Sequence, residues 1–127
     1  MNTVAIAGNL TRDPELRFLN DGTAVANLGV AVSRRWFDKN KNDWTEETSF
    51  FDVSAWRQQA ENAAESFKKG DRVVVVGRLE QRSWEGDNGE KRSKVEIRAD
   101  EISASTKFGP TQAAPKAPAY DGSNEPF

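Results

Sequence analysis

The chain has 127 residues, which is enough for one domain with a modest hydrophobic core. It contains no cysteine and no histidine, which excludes disulfides, a thiolate nucleophile and the commonest general base and transition-metal ligand. The 18 basic and 20 acidic residues give a net charge of -2, so any polyanion must be bound by locally placed cations.

The compartment and the cofactor requirement also follow from composition. The first ten residues lack the basic and long apolar regions of a secretory signal, and no apolar run is long enough to span a bilayer. We therefore expect a cytoplasmic protein without membrane contact. Asp13, Glu15, Asp100 and Glu101 could be read as a magnesium site, but solvated turns and strand ends explain them better, so we expect no metal, no cofactor and no enzymatic activity.

The amino-terminal half predicts two strands. Alternation of apolar and polar residues indicates a first strand from Thr3 to Leu10, which resumes at Leu16 and Phe18 after a polar interruption. Asn20-Asp21-Gly22 predicts a turn. The second strand, Ala24 to Arg35, follows it, and Trp36 comes directly after two arginines.

A third strand, Phe50 to Trp56, carries the first functional signal. Asp38 to Glu47 before it is charged and predicts a loop that Trp44 anchors. Within the strand, alternation places Phe51, Val53 and Ala55 on one face and Phe50, Asp52, Ser54 and Trp56 on the other. The second face is too polar for a core. Its two large rings therefore predict a surface on which flat groups stack.

The period changes to that of a helix between Arg57 and Lys69, where Ala60, Ala63, Ala64 and Phe67 form one stripe. Lys68 and Lys69 suit the negative end of the helix dipole, and Gly70 is expected to form a left-handed cap.

Two further strands complete the domain. Arg72 to Gln81 is the fourth, and its four consecutive valines predict that both faces are covered. A loop at residues 85–89 leads to the fifth strand, Lys91 to Ile102, with Val95, Ile97 and Ala99 pointing inward.

Five strands with one short helix between the third and fourth predict a small all-β barrel. Such barrels bind oligonucleotides or oligosaccharides on the second and third strands and the adjoining loops. Trp36, Phe50, Trp56 and Trp84 all fall in those places, and arginines precede Trp36 and Trp84. Aromatic rings interleaved with cations are typical of single-stranded nucleic acid binders. A carbohydrate-binding barrel is the strongest alternative, and a hydrolase is disfavoured because histidine and cysteine are absent.

Candidate phosphate contacts are the basic residues close to those rings. A solvated charged face is the ordinary explanation for such residues, but Arg78 and Arg82 share a strand face with Trp84, which favours them. The predicted phosphate contacts are Arg34, Arg35, Arg57, Arg78, Arg82 and Lys91.

Five short segments make the chain resemble the bacterial single-stranded DNA-binding protein family across residues 1–106. They are Ala7-Gly8-Asn9-Leu10, Asp13-Pro14-Glu15-Leu16-Arg17, Gly22-Thr23-Ala24-Val25-Ala26-Asn27, Lys68-Lys69-Gly70-Asp71-Arg72-Val73 and Gly77-Arg78-Leu79. The resemblance implies an OB fold, a homotetramer and sequence-independent binding of single-stranded DNA in replication, recombination and repair. It also implies base stacking at Trp36, Phe50, Trp56 and Trp84. One departure is Phe50-Phe51-Asp52, which stands where many members carry Trp-His-Arg.

The carboxyl-terminal segment differs in composition. From Gly109 onward the chain is rich in Pro, Ala, Thr, Gln and Ser, which predicts a disordered linker with a tip at 109–127. The domain at 1–108 is then the one for which the resemblance implies an OB fold that binds single-stranded DNA. By resemblance, the tip docks replication and repair proteins through Asp121, Glu125, Pro126 and Phe127, with less acidic charge than is usual in the family.

Overall fold

The computed structural model describes residues 1–111, which form a β-barrel with one helix. Its elements are β1 (Val4–Leu10), β2 (Glu15–Phe18), β3 (Ala24–Asp38), β4 (Asp43–Trp56), α1 (Arg57–Ser66), β5 (Arg72–Glu85) and β6 (Lys91–Ala104). β1 and β2 are the two parts of the predicted first strand. The predicted OB-fold barrel of five strands, with one helix before the fourth, is therefore confirmed. Within residues 1–111, no helix is long and apolar enough to cross a membrane.

The barrel closes through β1. The sheet order is β1-β5-β6-β4-β3-β2, and β1 pairs in addition with β3 through Asn9 opposite Ala31 and Leu10 opposite Val30. At this closure the backbones approach closely, because a Cβ atom on Gly8 would collide with the carbonyl group of Ala31. β4 and β6 pair in parallel, with Val53 opposite Ile97 and Ser54 opposite Arg98. This pairing joins the two long hairpins into one surface.

The core lies inside the barrel and under the helix. Its largest fully buried side chains are Leu28, Ile97, Val25, Val30, Val53, Val73 and Val75. α1 packs on β3 and β4 and buries Ala60 and Ala63. Of the valine run, Val73 and Val75 are buried, whereas Val74 and Val76 are half-buried. The expectation that both faces of this strand are covered is thus met fully on one face and partly on the other.

The predicted loop at Asp38 to Glu47 is wrong, because this segment completes a hairpin. β3 continues to Asp38, which pairs with Asp43, so that only residues 39–42 turn. The side chains of these two polar strand segments contact each other across the hairpin, and these contacts stabilise it without a hydrophobic core. The rings of Phe37 and Trp44 meet at 5.7 Å, and Arg34 lies 2.9 Å from Glu47. Trp44 consequently lies on a strand and not in a loop.

The helix ends three residues earlier than predicted. Ser66 is its last residue, and Phe67 is extended, with φ at -119° and its ring packed against the core. The chain therefore leaves the helix at the residue whose ring packs against the core. Gly70 does adopt a positive φ of 93°, but in a separate turn in which the N–H of Asp71 donates to the carbonyl of Lys68 at 3.1 Å.

Val95 is the one predicted inward residue of β6 that the structure contradicts. Ile97 and Ala99 are buried, whereas Val95 is 58% exposed. β5 and β6 remain paired up to Glu85 and Lys91, well beyond the barrel. In this outer part of the hairpin, the side that faces the core elsewhere is exposed to solvent. Leu79, paired with Ile97 on the same face, is exposed as well.

Candidate nucleic-acid interface

Strand register assembles three of the predicted rings and several of the predicted cations on one side of the sheet, called the outer face below. On β4 this side carries Phe50 and Trp56, and the parallel pair of Ser54 with Arg98 continues it onto β6. The pairs Arg78 with Arg98 and Trp84 with Arg92 extend it onto β5. The outer face comprises Phe50, Asp52, Ser54 and Trp56 of β4, Arg92, Lys94, Glu96 and Arg98 of β6, Arg78, Glu80, Arg82 and Trp84 of β5, and the β3 and β4 residues aligned with them.

The aromatic rings of this face differ in exposure. Phe50 is 73% exposed, Trp84 is exposed, and Trp56 is half-buried. Trp56 is held by a hydrogen bond from its Nε1 to the Ser54 hydroxyl at 3.3 Å. It lies in a groove of about 200 Å³ that is lined by Arg17, Val25, Asn27, Ser54, Trp56, Glu80, Gln81, Arg82, Glu96 and Arg98. The groove thus combines one indole with cations from three different strands.

Trp36 projects from the opposite side of the β3–β4 hairpin. It pairs with Thr45, one residue out of phase with the pair of Ala31 and Phe50. Trp36 therefore shares the side of Arg34 and of the core residue Val30. The structure brings three of the four predicted rings together on the outer face and places the fourth at the back of the hairpin. Stacking at all four positions stays a prediction.

Each of the four tryptophans carries an arginine against its ring. The guanidinium carbon lies 4.5 Å from the ring centre for Arg34 on Trp36 and for Arg98 on Trp56. The distance is 4.9 Å for Arg35 on Trp44 and 5.5 Å for Arg82 on Trp84. Cations at this distance are attracted by the negative face of the ring. Ring and cation thus form a unit in the free protein.

Several predicted phosphate contacts are already paired with carboxylates. Arg82 lies 3.1 Å from Glu96, Arg78 lies 3.7 Å from Asp100, and Arg34 pairs with Glu47 as described above. The pairs of Arg34 and Arg78 are exposed on both sides, so each contributes about 0–1 kcal/mol and can be exchanged for another anion. In the third pair Arg82 is exposed, whereas the Glu96 side chain is only 17% exposed. The paired acids offset part of the positive charge of these cations.

The remaining predicted cations have different surroundings. Lys91 lies with Trp84 and Arg92 around a shallow depression at the end of the β5–β6 hairpin. Arg57 is exposed and begins α1 with a φ of 58°, in the left-handed region that only glycine adopts without cost.

Asp52 is the central acid of the outer face. Its Oδ1 lies 3.8 Å from Nη2 of Arg12, and its Oδ2 contacts Nζ of Lys94. Arg12 reaches this position from the segment between β1 and β2, where its guanidinium and Thr11 cover Gly29 of β3. The acid thus binds two cations on the same side as Phe50.

Three cations of this surface were missed from the sequence: Arg12, Arg17 and Arg98. For Arg98 a signal existed, because the alternation that places Ile97 inside also places Arg98 outside. For Arg12 and Arg17 there was none, since their positions depend on how the first strand bends around the barrel.

Two carboxylates near turns have a lowered pKa. The pKa of Asp21 is lowered because its carboxylate accepts a hydrogen bond from the Thr23 N–H at 2.9 Å. The pKa of Glu90 is lowered by its own backbone N–H and by Arg92. In both cases the ionised carboxylate stabilises the turn in which it lies. Neither lowered pKa indicates acid-base chemistry.

Two of the acids considered for a metal have structural partners. Asp13 accepts a hydrogen bond from the Lys69 N–H at 2.7 Å, and Asp100 faces Arg78. In the described part of the chain, no group of three or more acidic, cysteine or histidine side chains could hold a metal ion.

Comparison with known proteins places this geometry in a family. Residues 1–105 match the single-strand binding protein family. The chain is 50% identical over 107 residues to the single-stranded DNA-binding proteins of Paenarthrobacter aurescens and Mycolicibacterium smegmatis, and 49% identical to that of Mycobacterium tuberculosis. These alignments cover 84% of this chain and 63–65% of the relatives. The chain therefore belongs to the single-strand binding protein family.

Proposed function

We propose that this protein binds single-stranded DNA without sequence preference, through the outer face. The observation that supports this most is the set of rings on that face, each tryptophan with an arginine against it. Every base has a flat π surface, so stacking on rings is indifferent to sequence and contributes about 1–3 kcal/mol per base. The names of the relatives agree with this proposal.

Exchange at the tryptophans is the proposed binding step. A base stacks on the indole in place of the guanidinium, and the released arginine turns to the neighbouring phosphate. For Arg82 this also replaces the carboxylate of Glu96 by a phosphate, so that one charge-assisted contact is exchanged for another. Duplex DNA hides its base faces and is expected to compete poorly.

The proposed residue roles follow from position. Phe50, Trp56 and Trp84 stack bases on the outer face, and Trp36 does so from the back of the hairpin, which requires the strand to pass around the β3–β4 edge. Arg34, Arg35, Arg57, Arg78, Arg82 and Lys91 contact phosphates. Arg98 and Arg17 are added from the groove around Trp56.

The wider role proposed is protection of single strands during replication, recombination and repair, in the cytoplasm at the nucleoid, by a homotetramer. The exposed Leu79 and Val95 support association between copies. Residues 112–127, which include Asp121, Glu125, Pro126 and Phe127, lie outside the described residues, and docking of partner proteins there is part of the proposal.

Truncation after Ala119 is expected to retain DNA binding and to abolish partner pull-down, and retained pull-down would contradict docking.

Substitution at Trp56 tests the DNA-binding proposal. Trp56→Ala is expected to weaken binding of labelled oligothymidine by about 1–3 kcal/mol, because it removes a stacking surface. Lys41→Ala, in the turn of the β3–β4 hairpin, is the control and is expected to have little effect. Fluorescence anisotropy measures both, with RNA and a neutral oligosaccharide as competitors. Equal, small effects of the two variants would contradict the stacking mechanism, and displacement by the oligosaccharide would favour a carbohydrate site.

A further inference from the structure

The tip of the β3–β4 hairpin carries a second aromatic pair that the proposed interface does not use. We propose that Phe37 and Trp44, with Arg35, form an additional base-stacking subsite, called the hairpin subsite below. It receives nucleotides of a single strand that has passed Phe50. The inference rests on the proposed function and extends the binding path by one site.

Register places the hairpin subsite on the outer face. Phe37 pairs with Trp44, Ala31 pairs with Phe50, and the β3–β4 ladder between them has no irregularity. Trp44 and Phe50 are six residues apart on β4, so their side chains project from the same side about 20 Å apart along the strand. That distance is too long for one base to contact both rings. The hairpin subsite must therefore receive different nucleotides from those at Phe50.

The two rings of the hairpin subsite are accessible, and the contact of Arg35 with Trp44 resembles that of Arg98 with Trp56 in the groove. Trp44 is 56% exposed and Phe37 45% exposed. The guanidinium of Arg35 lies 4.9 Å from the Trp44 ring centre, close to the 4.5 Å of Arg98 on Trp56. The ring-and-arginine unit of the groove is thus repeated at the tip. Here too a base can replace the guanidinium, which then reaches the adjacent phosphate.

A purely structural role for this pair makes a different prediction. The two rings meet edge to face at an angle of 75°, a contact that stabilises the hairpin. If they served only the hairpin, their loss would disturb Phe50 and Asp52 on the same strand and weaken binding of every oligonucleotide. A stacking subsite affects only oligonucleotides long enough to reach it.

The test is therefore a length series. Oligothymidines of about 4–16 nucleotides, the range of site sizes for one OB fold, are titrated into the full chain by fluorescence anisotropy. The reference is the shortest oligomer that the native chain binds. Trp44→Ala and Phe37→Ala are expected to bind this oligomer with the same affinity as the native chain does. The longest oligomers are expected to bind roughly 5- to 150-fold more weakly to Trp44→Ala. Trp44→Phe keeps a ring and should restore most of the loss.

Phe108→Ala is the matched control. Phe108 is an exposed aromatic residue that also carries cations, with Arg72 at 4.7 Å and Lys107 at 5.3 Å from its ring centre. It lies after β6, outside the outer face, and its loss is expected to change no affinity.

The outcomes separate the inference from the proposed function. If Trp56→Ala weakens binding but Trp44→Ala equals Phe108→Ala at every length, the hairpin subsite is refuted and the proposed function stands. If Trp44→Ala weakens the shortest and longest oligomers alike, the pair is structural and the subsite is again refuted. If the native chain binds none of the oligothymidines, the proposed function itself fails.

Discussion

At the scale of single residues, Gln59 joins the helix to the barrel at an irregular point. Its Oε1 accepts a hydrogen bond from the Ile102 N–H at 2.9 Å, and its Nε2 lies 3.5 Å from the Ala99 carbonyl. These two groups flank Asp100, the extra residue where the β5–β6 register shifts next to Gly77. One side chain therefore supplies hydrogen bonds at the break in the ladder.

Gln59→Ala should destabilise the protein measurably. The change leaves the half-buried Ile102 N–H without this acceptor, which costs about 1–2 kcal/mol of unfolding free energy. Gln58→Ala is the control, because within residues 1–111 the side chain of Gln58 bonds along the helix surface, to Asn62 at 3.1 Å, and its change should cost about 0.5 kcal/mol or less. Urea unfolding followed by circular dichroism compares them. Equal losses for both variants would contradict the role of the link to β6, because alanine has the higher helix propensity and neither change weakens the helix through propensity.

The arginines on the tryptophans show how far residue-scale reasoning reaches from sequence. Arg34 with Trp36 and Arg82 with Trp84 are two residues apart on one strand, so alternation alone puts them on one side. The contact of Arg98 with Trp56 joins two strands that are distant in sequence and pair in parallel. Alternation within β6 places Arg98 on the outer face, but nothing in a single strand indicates that Trp56 is its partner.

At the scale of elements, the β3–β4 hairpin separates what periodicity can reveal from what it cannot. Residues 50–56 alternate between apolar and polar because one side packs on the core, and their predicted faces are confirmed by the register. Residues 43–49 extend beyond the core, so neither side needs to be apolar and the pattern disappears. Residues 43–49 form a strand because their side chains contact those of β3. Such contacts can be identified only when the register of the two strands is known.

The β5–β6 hairpin shows the converse error. Alternation correctly assigns Val95 to the side of Ile97, but it does not reveal where the barrel ends along the strand. Beyond that point an inward-facing valine is exposed. The side of a strand is thus encoded locally, whereas burial depends on how far the partner elements reach.

At the scale of the whole molecule, the chain is close to electrically neutral, and the proposed binding surface carries acids among its cations. The net charge is -2, and the outer face carries Asp52, Glu80 and Glu96 among its cations. Lys94 pairs with Asp52 and Arg98 lies 3.9 Å from Glu80. Arg78, Arg82 and Lys94 must first leave a carboxylate before they contact a phosphate, so stacking is expected to supply a larger share of affinity than in a strongly basic binder. The logarithm of affinity should accordingly fall only modestly with the logarithm of salt concentration.

Asp52→Asn tests this balance. The amide keeps the shape of the side chain but releases Arg12 and Lys94 for phosphates. Binding of oligothymidine should tighten by about 0.2–1 kcal/mol at low salt. The log-log salt slope should become steeper by about 0.7 for each additional phosphate neutralised. Glu61→Gln, on the exposed surface of α1, changes the net charge equally without touching the outer face and should leave the slope unchanged. If both variants steepen the slope alike, the effect belongs to net charge and the local pairing of Asp52 has no special role.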